Sequence, residues 1–291
     1  MMLESPVAVS SASISHPPDP GQLRRQQQET ALRLGLESHF SDPLQAGGRG
    51  PEMMVIPPGR FESGAPEDDR DFGELPRRQA EIEHGFGLGR YCVTADEFAL
   101  FAQATGFEWR DDLLLAEGRA PVINISLDQA QDYLAWLSEE TGRHYRLPTE
   151  QEWEYAALAG STTPYCFGDR LTCGEANIQT FQMTQSPVRG WRRFLPFCAP
   201  LNRAVEVGTF PANVWGLHEV HGNVWEMTSE RWHGPLAPGV RATRQADMGW
   251  FVVKGGSWFE GPRAARAAAR KPRLHNELDI NLGFRVACDL P

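Results

Sequence analysis

RLPTEQEWEYAALAG, residues 146–160, carries the start signals of a helix in its own side chains. Thr149 stands where its hydroxyl accepts a hydrogen bond from the amide of Glu152, while the Glu152 carboxylate reaches back to the amide of Thr149. Pro148 lies just outside. Such a capping box satisfies amides that every helix N-terminus leaves without partners. The device recurs twice upstream. In SLDQAQDYLAWLSEETG (126–142) Ser126 and Gln129 form the pair, and Gly142 is the stop. Ala130, Tyr133, Leu134 and Leu137 then fall at i, i+3, i+4 and i+7, so one helical face is buried. In TADEFALFAQATG (94–106) the pair is Thr94 and Glu97, with Gly106 as the stop. Three short helices are expected in this half of the chain.

Outward from these helices the texture changes. MMVIPPGRFESG (53–64) reads as a strand, a Pro-Gly turn and a second strand. After Gly160 no amphipathic period lasts more than two turns; Gly, Pro, Asn and aromatic residues dominate. WFVVKG (250–255) and LGFRVAC (282–288) are the strand-like runs there. A loop-rich half needs buried tryptophans, ion sites or dense side-chain-to-backbone hydrogen bonds to stay ordered. Trp191, Trp215, Trp225, Trp232, Trp250 and Trp258 supply the first. The class expected is α+β with little regular secondary structure. Residues 1–20 are rich in Ser and Pro, and 22–40 read as a helix with Leu23, Ala31 and Leu34 near one face. Gly47, Gly48 and Gly50 mark a hinge-like boundary. Residues 1–46 are therefore expected to be a disordered or loosely helical segment, and residues 52–290 a single domain.

The 291 residues are 41% hydrophobic and carry a formal net charge of -10, which argues against a nucleic-acid partner. Five cysteines, Cys92, Cys166, Cys173, Cys198 and Cys288, show no metal-type spacing. They read as buried, mostly reduced thiols, with a disulfide of Cys166 to Cys173, or with Cys198, as the alternative. No secretory signal is visible, and no run approaches the roughly 20 apolar residues of a membrane span. A cytoplasmic protein with no membrane partner is expected.

Eight stretches in order resemble the formylglycine-generating enzyme (sulfatase-modifying factor) family: MMVIPPGRFESG, YCVTADEFALFAQATG, PVINISLDQAQDYLAWLSEETG, YRLPTEQEWEYAALAG, EANIQ, VWGLHEVHGNVWEMTSERW, VVKGGSWFEG and NLGFRVACD. The resemblance implies that family's variant of the C-type-lectin fold. It also implies where chemistry would lie. In the founding enzyme two cysteines after the GGS motif bind copper, soft thiolates suiting Cu(I). Here Glu260 stands at the first cysteine's place, and no thiol lies near Ala264 and Ala265. The chain thus resembles a branch that does not activate sulfatases, and copper is not expected. The function expected is oxidative or tailoring maturation of a peptide or small biosynthetic intermediate. The alternative is a non-catalytic, lectin-like binding or accessory protein with a protein partner.

The same resemblance implies a pocket of Trp225, Ser257, Trp258 and Arg263 around Glu260. A carboxylate in a tryptophan-lined cavity is expected to have a raised pKa and to act as a catalytic acid or base; a surface Glu260–Arg263 ion pair is the plain alternative. Structural calcium is implied at Glu219, Gly222, Val224 and Glu226, and at a second, incomplete site beginning at Asn177 and Ile178. His218 and His221, with His275, mark a mononuclear iron site as a minor alternative. Arg263, Arg266, Arg270 and Arg273 step at helical spacing and read either as one cationic face or as partners of the acidic surface.

Overall fold

The computed structural model describes residues 19–71, 73–108, 116–179, 199–234 and 249–291. Helix and strand are mixed. The helices are α1 (Pro20–Arg33), α2 (Ala95–Thr105), α3 (Leu127–Thr141) and α4 (Glu150–Leu158). The strands are β1 (His39–Phe40), β2 (Met53–Ile56), β3 (Gly59–Ser63), β4 (Arg78–Ile82), β5 (Phe86–Gly89), β6 (Tyr145–Arg146), β7 (Trp225–Arg231), β8 (Trp250–Lys254), β9 (Lys271–Leu274), β10 (Leu282–Gly283) and β11 (Ala287–Asp289). They form a five-stranded sheet in the order β1-β2-β5-β11-β6, a four-stranded sheet in the order β10-β7-β8-β9, and the hairpin β3-β4.

Each expected capping box is present, at Thr94–Glu97, Ser126–Gln129 and Thr149–Glu152. The buried face of α3 is the one its period indicates, Ala130, Tyr133, Leu134 and Leu137, joined by Trp136. These side chains pack with Phe98, Phe284, Trp225 and Val253 into one core that links α2 and α3 to both sheets. A second core packs α4 against the other face of the five-stranded sheet through Trp153, Tyr155, Trp215 and Leu88. Trp191 lies outside the described residues.

The N-terminal expectation is corrected for the described part of residues 1–46. Asp19 caps α1 and Pro20 opens it, and Leu23 and Ala31 are buried. Buried Gln27 donates from Nε2 to the carbonyls of Val55 (2.9 Å) and Trp215 (3.0 Å), so the helix is bonded to the domain. The glycine-rich stretch is not a hinge. Gln45 and Ala46 bond to the end of α3 at Glu140, and Gly50 donates to the Asp42 carbonyl at 2.9 Å. Mean hydropathy could not reveal this, because polar atoms supply the docking.

The arginine series does not form a helical face. Only Pro262–Ala265 is helical, as a short 3-10 turn, and β9 begins at Lys271. The guanidinia meet acids from three segments: Arg263 meets Asp69 and Asp71, Arg266 shares Asp69 and meets Glu74, Arg270 meets Glu150, and Arg273 meets Glu277 and Asp279. The thiols also divide. Cys92, Cys166 and Cys288 are free, while Cys173 is disulfide-bonded, so Cys166 is not its partner.

Candidate active site

Trp225 opens β7, and the GGS motif leaves the end of β8. Gly255 and Gly256 hold φ of 93° and 70°, a region that only glycine enters freely. A Cβ on Gly256 would lie 2.7 Å from the Ala264 carbonyl oxygen, so the turn also needs the missing side chain. This tight turn buries Ser257 completely and returns Glu260 to the N–H edge of the Trp225 indole. Trp225 Nε1 donates to Glu260 Oε1 at 3.1 Å, and Ser257 Oγ makes a very short bond to Oε2. Lys271, from the first position of β9, places Nζ 3.1 Å from Oε1 and 5.6 Å from the Trp225 ring centre. Asn281 extends the network, its side-chain oxygen 3.2 Å from Ser257 Oγ and its amide nitrogen 3.0 Å from Asp279.

This geometry corrects the electrostatic expectation. Burial does push the Glu260 carboxyl up, but the Ser257 hydroxyl, the Lys271 charge and the Trp225 N–H outweigh it, holding it below the usual carboxylate range. Glu260 is an ionised acceptor, not a proton-bearing acid near neutral pH. Its ion-pair partner is Lys271, and Arg263 belongs to the rim with Asp69 and Asp71. Trp258 is buried beside the site, and Phe259 stands 61% exposed with its ring 5.6 Å from that of Trp258.

A model of the sulfatase-modifying factor enzyme 1-like domain matches residues 39–290. The chain belongs to the formylglycine-generating enzyme family. It is 32% identical over 228 residues to the formylglycine-generating enzyme of Mycobacterium tuberculosis, covering 68% of this chain and 71% of that protein. It is 26% identical to the inactive C-alpha-formylglycine-generating enzyme 2 of Bos taurus, covering 81% and 87%. Its structure is similar to that of PvdO from Pseudomonas aeruginosa, with a TM-score of 0.68 and 28% identity over 87% of this chain and 98% of that one.

Within this family frame, copper does not fit the residues present: the network around Ser257 and Trp225 offers a carboxylate and an ammonium, with no thiolate, to a soft ion. Of the residues expected to hold calcium, Glu219, Gly222, Val224 and Glu226, the two carboxylates already have protein partners. Both Glu226 oxygens face the buried Arg285, at 2.7 Å each, and Trp153 Nε1 donates to Oε2 at 2.6 Å. Glu219 accepts the amides of Gly208 and Phe210, both at 3.0 Å. Arg285 already supplies the positive charge that a cation would bring. Gly222 instead serves close packing, since a Cβ there would lie 2.4 Å from the Asn177 carbonyl oxygen. The second site differs. Asn177 is buried, its amide nitrogen donates to Arg203 O and Asn223 Oδ1, and its Oδ1 has no partner among the described residues. An orphaned buried oxygen beside Ile178 fits an oxygen-seeking cation. The stretch expected to complete that site, residues 180–198, lies outside the described residues.

The histidines do not converge. His221 is buried and neutral, donating from Nδ1 to Ala265 O (2.8 Å) and accepting the Cys166 amide at Nε2 (3.0 Å). Burial lowers its pKa to about 4. His218 bonds Phe210 O, and His275 faces Asp128 at 3.1 Å. An iron site from these three is therefore not assembled.

Lys271 and Asn281 are the site residues that sequence reasoning missed. Asn281 lies two positions before the GFR motif, a weak signal; Lys271 follows Arg270 in a stretch read only for its arginines.

Proposed function

We propose that this chain is a tailoring enzyme acting on a peptide or small biosynthetic intermediate at the Glu260–Lys271 site, and not a sulfatase activator. The observation that carries the reading is the Glu260 carboxylate, held by the N–H of a buried indole, a buried serine hydroxyl and an ammonium, where the family resemblance places the first copper-binding cysteine. Glu260 is the proton acceptor of such a site. Lys271 keeps it ionised and, being 35% exposed, also faces an incoming group. Trp258 and the exposed Phe259 offer ring contacts beside it. The likeness to an inactive C-alpha-formylglycine-generating enzyme 2 supports a role outside formylglycine generation.

The test is made in the native host. Deleting the gene and comparing extracted products by mass spectrometry should reveal one altered peptide or small molecule, restored by the parent chain. Glu260→Gln and Lys271→Met should fail to restore it while melting within a few degrees of the parent. In a companion assay, copper, oxygen and a CxPxR peptide should yield no aldehyde product; a formylglycine mass would overturn the reading of Glu260.

A non-catalytic accessory role is the second reading. It is favoured by the three donors that already engage Glu260 and by the likeness to inactive family members. Full complementation by Glu260→Gln would select it.

Three finer points belong to the proposal. Two small sheets joined by long irregular segments agree with a C-type-lectin-like fold. Calcium, if resident, is held at Asn177 and Ile178. No described helix is long and apolar enough to cross a membrane, and the disulfide at Cys173 suits an oxidising compartment better than the cytoplasm.

A further inference from the structure

The hairpin β3-β4 belongs to neither sheet, so β3 keeps an edge to itself. In an antiparallel ladder, opposed residues alternate between pairs that exchange backbone hydrogen bonds and pairs whose backbone groups point away from each other. Which residues of β3 point away is settled by three bonds. The Glu81 carbonyl, opposite Arg60, accepts from Gln151 Nε2 at 3.5 Å and so faces away from β3. Two residues before Arg60, the Pro58 carbonyl accepts from Gln26 Nε2 at 3.2 Å. Two residues after Glu62, the Gly64 amide donates to Glu154 Oε1 at 2.7 Å. Arg60 and Glu62 share that outward parity. Their N–H and C=O groups lie between two satisfied ends and have no backbone partner outside the hairpin among the described residues.

This edge forms one wall of a cavity of 790 Å³. Gln22 and Gln26 of α1 line it with the 160–164 loop, and Tyr155 and Trp215, their rings 5.0 Å apart, line it from the core. A strand the length of β3 runs for about 17 Å, enough to seat five or so extended residues. The lining charges are matched with one exception. Glu62 pairs with Arg77 (3.5 Å), Asp69 with Arg266 (3.0 Å), Arg60 with Glu81 (3.1 Å), and Glu154 with Lys254 (3.6 Å). Exposed Asp169 has no ion pair among the described residues.

We propose that the groove between β3 and α1 is a peptide-binding site that takes an extended segment of a partner polypeptide as a third strand on β3, with a basic side chain set against Asp169. The open donors and acceptors of Arg60 and Glu62 recognise a backbone, which gives affinity. Asp169 supplies side-chain preference. β9, an edge of the four-stranded sheet, is closed to this: Leu274 donates its amide to Glu277 (3.1 Å), and Pro272, two residues earlier on the same side, has none.

The test begins with a phage-displayed library of random eight-residue peptides selected against the full chain, the best sequence then being synthesised. Enriched peptides should carry Lys or Arg. N-methylation at alternate peptide positions should weaken binding at least about tenfold, while methylation at the intervening positions should not. Asp169→Asn should cost several-fold and remove the basic preference. No enrichment, or indifference to the pattern of N-methylation, would overturn the site. Equal competition by a synthetic peptide of residues 1–18 would reassign the groove to the chain itself, and a dimer dissociated by the selected peptide would reassign it to a second copy.

Discussion

Arg285 and Glu226 are both fully buried and share two bonds of 2.7 Å. Arg285 spends its remaining donors on the carbonyls of Gly89, Arg90 and His218. Removing the acid strands the cation, so Glu226→Ala should cost about 3–5 kcal/mol in a denaturant titration. A loss under 1 kcal/mol would show that the pair is not what joins β7 to the C-terminal segment. His221 gives a pH signature at the same scale. Its folded pKa, about 4 because of burial, lies below the unfolded value, so the unfolded chain takes up the proton first. The stability it supports is complete above about pH 6.5 and is lost as pH falls towards 4, roughly 3 kcal/mol in all. His221→Gln keeps a donor and an acceptor without titrating there. Its stability should be flatter across that window, whatever its absolute value; an unchanged slope would remove His221 as the cause.

At the scale of elements, α1 illustrates docking by a polar side chain. Gln27 satisfies two buried carbonyls that belong to β2 and to the loop at Trp215. Gln27→Ala leaves both without a donor, at a cost of about 1–3 kcal/mol. Limited proteolysis should yield a stable core that retains α1 in the parent, and should cut between α1 and β2 far faster in the variant. A parent core beginning near Met53 would mean that the helix is not held. The capping boxes of α2, α3 and α4 were legible because their partners lie three residues apart. The docking of α1 was not, since its partners lie 28 and 188 positions away.

Three apolar clusters hold the described residues together, and an ion at Asn177 would act on the loop that gives Ala176 and Ile178 to the third. With Asn177 Oδ1 unpartnered, thorough treatment with EGTA should lower the melting temperature of the calcium-loaded chain, because a ligand of the folded state alone stabilises by mass action. Asn177→Ala should abolish the response. A melting curve indifferent to chelation would remove calcium from this protein and leave the orphaned oxygen to a buried water.

What the sequence determined by itself was local: three helix starts with the glycine stops of two of them, the double-glycine turn that leads to Ser257, and the absence of thiols beside it. These rest on contacts within a few residues, or on the presence of an atom, and both can be read in one dimension. The tertiary structure alone decided which charge meets which. Arginines at helical spacing formed no common face, because the run passes from one 3-10 turn into β9 and acids from three other segments, 69–74, Glu150 and 277–279, meet them. Glu260 met Lys271 and not Arg263, and Glu226 met Arg285. A carboxylate's pKa and role follow from the donors around it, and those donors arrive from strands whose positions only the folded chain defines.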